Sequence, residues 1–358
     1  MAKVFKDFLF ANHKLSEFGN FIAVDFDGDS EISLALERDM EIGETNKYRI
    51  EPNFFGDKWS SPLGFELHII KNACKYSNQT EMIFSQKEIR EIAGWLTSPH
   101  YPKWIEFEYS PDDIDRDKIS TYKGWFNNIE TYVVGGAVYG LRLCFTCTTP
   151  FGYTDERNKE IANQSMTIIS ELVENNSDEL ESYCYPHIHI YPNSTNECFI
   201  CNLSDAKILD KGELNDSSLK DVAEAYALSE WCTIRYTGET PETPTMLCDN
   251  NALQFYLVNK YGDETKCTIL HSSQEGQYYI IEGGFMHISL KADLEINMDC
   301  QRLLIQDSIG RMITYDELGI TDVDNMHWFR LVHGINQLLI CGDVTITFKY
   351  RESRKVGE

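Results

Sequence analysis

The chain has 358 residues, with 32 basic and 57 acidic side chains and a formal net charge of −25. At roughly 150 residues per domain, that length predicts two or three domains. A 42% hydrophobic and 12% aromatic composition predicts a folded chain. The charge, with no run of Lys and Arg, excludes electrostatic holding of nucleic acid and disfavours docking on anionic lipid.

At the start, Lys3 and Lys6 precede no long apolar run, so no signal peptide is expected. No stretch approaches a membrane span, so no membrane anchor is expected. The eleven cysteines are expected to be mostly reduced and buried, in a protein made in a reducing cytoplasm. Asp25-Phe-Asp27-Gly28-Asp29 resembles the opening of a calcium loop, but Gly is fourth and Leu36 is twelfth. A calcium loop needs Gly sixth and Glu twelfth. A hairpin turn at Asp27-Gly28 explains these residues better.

Ser85-x-x-Glu88 is a capping box, in which each side chain satisfies an exposed backbone N–H. Ile89, Ile92, Ala93 and Leu96 then make one apolar helix face, and Pro99 ends the element. Gly135-Gly136 predicts a tight hairpin. Leu141-Arg142 stands where a phosphate loop needs Lys and Ser or Thr, so that loop is set aside. Leu141, Leu143, Phe145 and Cys147 alternate with Arg142, Cys144 and Thr146, as in a strand with one buried face. A domain boundary is expected near Thr149-Pro150-Phe151-Gly152-Tyr153, dividing the chain into 1–150 and 151–358.

Residues 161–173 suit a helix or a strand, and periodicity leaves both open. Ile188 and Ile190 face one side of a strand, with His187 and His189 on the other. Two imidazoles on one face suit a metal, but no carboxylate pattern completes the set. Cys144-Phe-Thr-Cys147 and Cys198-Phe-Ile-Cys201 have zinc-knuckle spacing. Each lies in a strand pattern, where residues three apart diverge, so buried strand cysteines are expected and no metal. Between 205 and 255 the pattern loosens into an irregular, partly helical excursion, with a helix over Leu219 to Ser229. Near the end, Val344, Ile346, Phe348 and Tyr350 alternate with Thr345, Thr347 and Lys349. The fold class is mainly β. No G-x-S-x-G, H-E-x-x-H or identifiable carboxylate pair appears, so no catalytic residue and no cofactor is assigned.

Several segments, in order, resemble the distal tail protein (Dit) family of long-tailed bacteriophages. Phe8-Leu-Phe-Ala-Asn-His-Lys-Leu-Ser-Glu-Phe-Gly19 resembles its opening strand and turn. Phe84–Leu96, ending in a Trp-Leu pair, is similar to the family's single helix, and Lys103–Glu108 to the strand after it. The hairpin ending at Leu141–Cys147 and Pro150-Phe-Gly-Tyr153 resembles the close of its first domain. Asn175–Asp178, Tyr185–Ile190, Ile296–Cys300, Leu331–Asn336 and Val344–Tyr350 resemble the strands of its galectin-like β-sandwich. Arg354-Lys-Val-Gly357 is similar to its tail, and the likeness tips 161–173 toward strand. Residues 205–280 depart from the pattern.

The resemblance implies an N-terminal, β-sandwich-like ring-forming domain with one α-helix, then a galectin-like β-sandwich with an elaborated middle segment. It implies a virion protein of the tail tip, with no enzymatic role, assembled as a homohexamer. The ring would join the tail tube protein to the tail-tip protein, and its outward domains would hold receptor-binding proteins. DNA would pass through the channel without specific binding, past an acidic wall. Trp95, Trp104 and Trp125 are candidate partner-contact aromatics; core packing is the alternative for each. A carbohydrate-binding β-sandwich adhesion module is the runner-up, and a tail-associated hydrolase is third.

Overall fold

The computed structural model describes residues 5–24, 38–43, 54–59, 62–76, 78–109, 119, 121–215, 217–236, 245–272, 274–283, 285–320 and 327–355. The expected Asp27-Gly28 turn lies outside them. Two compact units form: Met1–Asp155 with Ser353–Glu358, and Glu156–Glu352.

The first unit contains β1 (Asp7–Phe10), β2 (His13–Lys14), β3 (Phe21–Val24), β4 (Arg38–Ile42), β5 (Phe54–Trp59), β6 (Gly64–Lys71), β7 (Lys103–Glu108), β8 (Thr121–Val134), β9 (Ala137–Cys147) and β10 (Phe151–Tyr153). Its main sheet is antiparallel, in the order β2-β1-β7-β8-β9-β6-β3, while β4 and β5 pair separately. Ser353–Lys355, at the end of the chain, pairs with β10. One sheet face is rich in aromatics: Phe8, Phe10, Phe65, Phe107, Tyr122, Phe126 and Phe145 are buried together with aliphatic residues such as Leu67, Ile69, Leu141 and Leu143.

Helix α1 (Gln86–Thr97) covers that face with Ile92, Trp95 and Leu96. Its capping box forms as expected: the Glu88 N–H donates to Ser85 Oγ at 3.2 Å, and the Ser85 N–H donates to the Glu88 carboxylate at 2.7 Å. The buried Lys71 ammonium also reaches Glu88, at 2.7 Å. Burial works against the Glu88 charge, but Lys71 and Ser85 hold its carboxyl below the usual range.

The second unit begins with β11 (Arg157–Asn175), so the ambiguous 161–173 is strand. Next come β12 (His187–Pro192), β13 (Glu197–Asn202), β14 (Lys207–Glu213), α2 (Leu219–Ser229), β15 (Thr233–Tyr236), β16 (Met246–Leu247), β17 (Ala252–Val258), β18 (Glu264–Ser272) and β19 (Gln277–Glu282). β20 (Phe285–Ser289), β21 (Ile296–Asp299), β22 (Leu304–Gln306) and β23 (Gly334–Tyr350) complete it. β23 is the axis. One edge pairs with β11 along its length; the other takes β13 at residues 338–341 and β12 at 344–349. Gly342 lies at the changeover, opposite a bulge in β11 between Ser165 and Ile169. Bulges and glycines let strands bend in this way. Strands β12, β13, β20, β21, β22 and β23 contribute to a single aliphatic core.

β13 and β20 are antiparallel neighbours, from Glu197↔Ser289 to Cys201↔Phe285. Everything between them is an insert on one hairpin connection. The stretch 205–255, which reads as irregular and partly helical, holds α2 and also regular strands. With β18 and β19 it makes a six-stranded sheet, ordered β14-β19-β18-β17-β15 with β16 on β17. Leu253, Phe255, Ile269 and Ile280 face α2 through Leu219, Ala223 and Ala227. On the reverse face, Ala252, Leu270 and Ile281 pack against Phe199, Leu339 and Cys341 of the main sheet. Both faces are buried from Cys267 to Leu270 of β18, so the alternation that marks a surface strand is missing there.

Candidate functional site

The β8–β9 hairpin carries exposed apolar side chains at both its tip and its base. Gly135 (φ 59°) and Gly136 (φ 83°) both take left-handed backbone between the paired Val134 and Ala137. This is the two-residue turn that Gly-Gly favours. β7 pairs only with residues 121–124 of β8. From Trp125 to Val134 the edge of β8 away from β9 has no strand partner among the described residues. Bulges at Phe126/Asn128 and Tyr132/Val133 twist the hairpin. Val133 and Val134 are 57% and 66% exposed at the tip, and Trp125 is 40% exposed at the base. A polar ladder runs across β6, β9 and β8: Arg142 pairs with Glu66, and also with Glu130 at 3.4 Å.

The three candidate tryptophans occupy different places. Trp95 is core: it stacks on Phe8 and Phe18, and its Nε1–H donates to the Phe10 carbonyl at 2.8 Å. Trp104 is half-buried, edge-on to Tyr153 at 5.0 Å, with the Lys123 ammonium 5.2 Å from its ring. Trp125 presents its ring on the surface.

Cys198 packs into the aliphatic core and Cys201 into the layer beneath the insert, on opposite faces of β13. Burial pushes both thiols up. Cys147 is core, while Cys144 is half-buried near Glu66. His187 and His189 share a face of β12, as their spacing predicts, and His189 lies 3.4 Å from Glu295. Among the described residues no group of three His, Cys, Asp or Glu is gathered as a metal ion needs, and no helix is long and apolar enough to cross a membrane.

A cleft of about 700 Å³ opens in the insert between β14, β19 and α2. Asp210, Asp221, Asn215 and Glu230 line it with Tyr226 and Tyr278. The Tyr278 hydroxyl donates to Asp210 Oδ2 at 3.0 Å. The Tyr278 ring lies against Gly212, where a Cβ would come within 2.9 Å of the ring. Burial and the bond to Asp210 push its phenol up. Asp221 caps α2 through Ser218, which holds the Asp221 carboxyl below its usual range. No local motif marks this cleft, because its walls come from strands and a helix up to about seventy residues apart.

The two structural neighbourhoods can be compared with known proteins. The solved Dit protein of phage SPP1, described as a paradigm of hub adsorption apparatus in Gram-positive infecting phages, is 15% identical. The match covers 98% of this chain and 100% of that one, with a TM-score of 0.47. A chain of the phage P2 baseplate in its activated conformation with Ca is 9% identical, covering 95% and 92%, with a TM-score of 0.37. A chain of the phage p2 baseplate with Sr is 8% identical, covering 98% and 99%, with a TM-score of 0.41. All three scores are below 0.5. No curated protein sequence matches the chain. Residues 3–149 match the family model described as phage tail protein N-terminal domain. That match spans less than half of the chain, which over those residues is similar to a phage tail protein N-terminal domain.

Proposed function

We propose that this chain is the distal tail hub of a long-tailed phage. Six copies form a ring that joins the tail tube protein to the tail-tip protein and offers outward domains to receptor-binding proteins. The observation that carries this reading is the β8–β9 hairpin of the phage tail domain. It exposes Trp125, Val133 and Val134 beside an open strand edge, on a chain that is otherwise strongly acidic. Exposed apolar side chains along an open strand edge are an invitation to a partner. The ring's role is mechanical, with no catalytic residue. A net charge of −25 per copy would repel DNA from the lumen rather than bind it.

The wild-type protein is expected to run as a hexamer in light scattering and to give six-fold rings in negative stain. The double variant Trp125→Glu, Val134→Asp is expected to weaken association at least ~30-fold, the scale of losing one interface hot spot. A wild-type protein that stays monomeric at all concentrations would count decisively against the ring.

A second reading has the cleft of the insert in its favour. The ring of Tyr278, walled by hydrogen-bonding side chains, suits a saccharide, which would make the insert a carbohydrate-binding module. Glycan-array binding by the wild type, lost in Tyr278→Ala with assembly unchanged, is the expected result on that reading. Equal binding by both proteins would remove the cleft from consideration.

A further inference from the structure

A bridge between Cys184 and Leu331 sets three side chains on one outer face of the second unit. Each N–H of the pair donates to the other's carbonyl, at 2.9 and 2.8 Å. Leu331 is buried in the aliphatic core and Cys184 packs against it. On extended backbone the neighbours of an inward residue point outward. Tyr183 and Tyr185 are accordingly 42% and 41% exposed, and Arg330 is half-buried against them.

Arg330 is fixed on several sides. Its guanidinium lies over the Tyr183 ring, 3.8 Å from the centroid. Its Nε–H is shared between the two carboxylate oxygens of Asp205, at 2.9 and 3.1 Å. Asp205 stands in the turn after β13, with its side chain only 4% exposed. His327 Nε2 reaches the same carboxylate at 2.8 Å. Burial works against the Asp205 charge, but His327 and Arg330 hold its carboxyl below the usual range. The Arg330 carbonyl accepts from Asn202 Nδ2 at 2.9 Å, so its backbone is held as well. The fork of the guanidinium, however, is left open. Arg142, Arg157, Arg235 and Arg311 each place an Nη group on a carboxylate. Arg330 uses only Nε, and both its Nη groups lack a protein partner among the described residues. The same holds for the hydroxyls of Tyr183 and Tyr185, whose rings meet edge to face at 6.3 Å.

A planar pair of N–H groups, held still and open to solvent, matches two oxygens of an oxyanion. A carboxylate would fill the fork and have no oxygen left over. A phosphomonoester brings a third terminal oxygen and a charge of up to about −2, which gives the phenol O–H groups an acceptor beside the guanidinium. We propose that Arg330, with Tyr183 and Tyr185, forms a binding site for the phosphate group of a phosphomonoester. Asp205 and His327 are positioning residues: Asp205 holds the guanidinium, and His327 holds Asp205. The chain as a whole carries −25, so the site selects by fit at short range and not by long-range steering.

The test uses the full chain and glycerol phosphate, followed by the width of its phosphorus NMR line. The wild type is expected to broaden the line. Sulfate, also a tetrahedral dianion, should sharpen it again, and acetate at the same concentration should leave it broad. Arg330→Lys keeps the charge but loses the fork, and should bind about tenfold more weakly. Arg330→Gln should give no broadening. Lys207→Gln removes an equal charge from the exposed pair with Glu282, and should bind like the wild type. A line that stays sharp with the wild type would overturn the proposal. So would displacement by acetate as effective as by sulfate, or an equal loss of binding in Lys207→Gln and Arg330→Gln. The wild-type displacement series decides the matter even if an Arg330 variant fails to fold.

Discussion

Gly342→Ala is expected to lower the melting temperature of the second unit by roughly 10 °C. Two costs combine at this position. Its φ of 118° lies where a side chain is strained, and a Cβ there would lie 2.6 Å from the Glu197 carbonyl oxygen and 3.3 Å from Cys198 Cα. Those atoms are backbone of β13, so relief requires β13 and β23 to separate at the changeover from β13 to β12. Left-handed strain costs about 1–2 kcal/mol, and overpacking a tight site costs about 1–3 kcal/mol. Gly334→Ala is the matched control on the same strand. Its φ is 90°, but nothing lies within 4 Å of its added Cβ. It should show the strain cost alone, about 1–2 kcal/mol. Equal denaturation midpoints for the two variants would remove the steric half of the account.

Asn336→Ala is expected to cost the second unit about 3 kcal/mol, on the scale of stranding several buried polar groups. Asn336 is fully buried. Its Nδ2 donates to the carbonyls of Val332 at 2.9 Å and Gly334 at 3.1 Å. Its Oδ1 accepts from the Val332 N–H at 2.9 Å and from Asn202 Nδ2 at 2.8 Å. The side chain thus shapes the entry to β23 and links it to the end of β13. Alanine removes all four bonds. Asn336→Asp keeps the acceptor, loses the donors and adds a buried charge. Burial raises that carboxyl's folded pKa, so the Asn336→Asp penalty grows as pH rises above the unfolded pKa of about 4, is largest above the folded pKa, and shrinks as pH falls. Urea titrations between pH 4 and 8 check both variants. A flat pH dependence of the Asn336→Asp penalty would show that the site is wetter than described here.

Much of the framework was legible because it is written in local periodicity. Val344, Ile346, Phe348 and Tyr350 are buried and Lys349 is exposed, as alternation predicts. Both helices begin at capping boxes, and Trp95 falls three residues after Ile92, on the buried face of α1. The insert was hidden for physical reasons. β18 buries four consecutive residues, Cys267 to Leu270, because both its faces are covered there, and the bulge between Ile208 and Asp210 breaks the period of β14. The open edge of β8 was equally invisible. Gly135-Gly136 fixes the turn, but only the end of β7 pairing at residue 124 leaves this edge of β8 without a strand partner from Trp125 onward among the described residues. Local spacing says which residues alternate; it does not say which strand lies alongside.

The return of Ser353–Lys355 to β10 has a consequence for how the molecule is made and exchanged. The first unit is not finished when the ribosome reaches residue 155. It waits for the whole second unit, because Ser353–Lys355 follows that unit in the chain. The second unit is therefore a cassette with two sutures, and the insert between β13 and β20 is a cassette within it. Antiparallel pairing lies beside each opening, at β10 with Ser353–Lys355 and at β13 with β20. A gene can trade either block by recombination at two short paired sites, whereas a single cut near residue 150 would leave the host sheet one strand short.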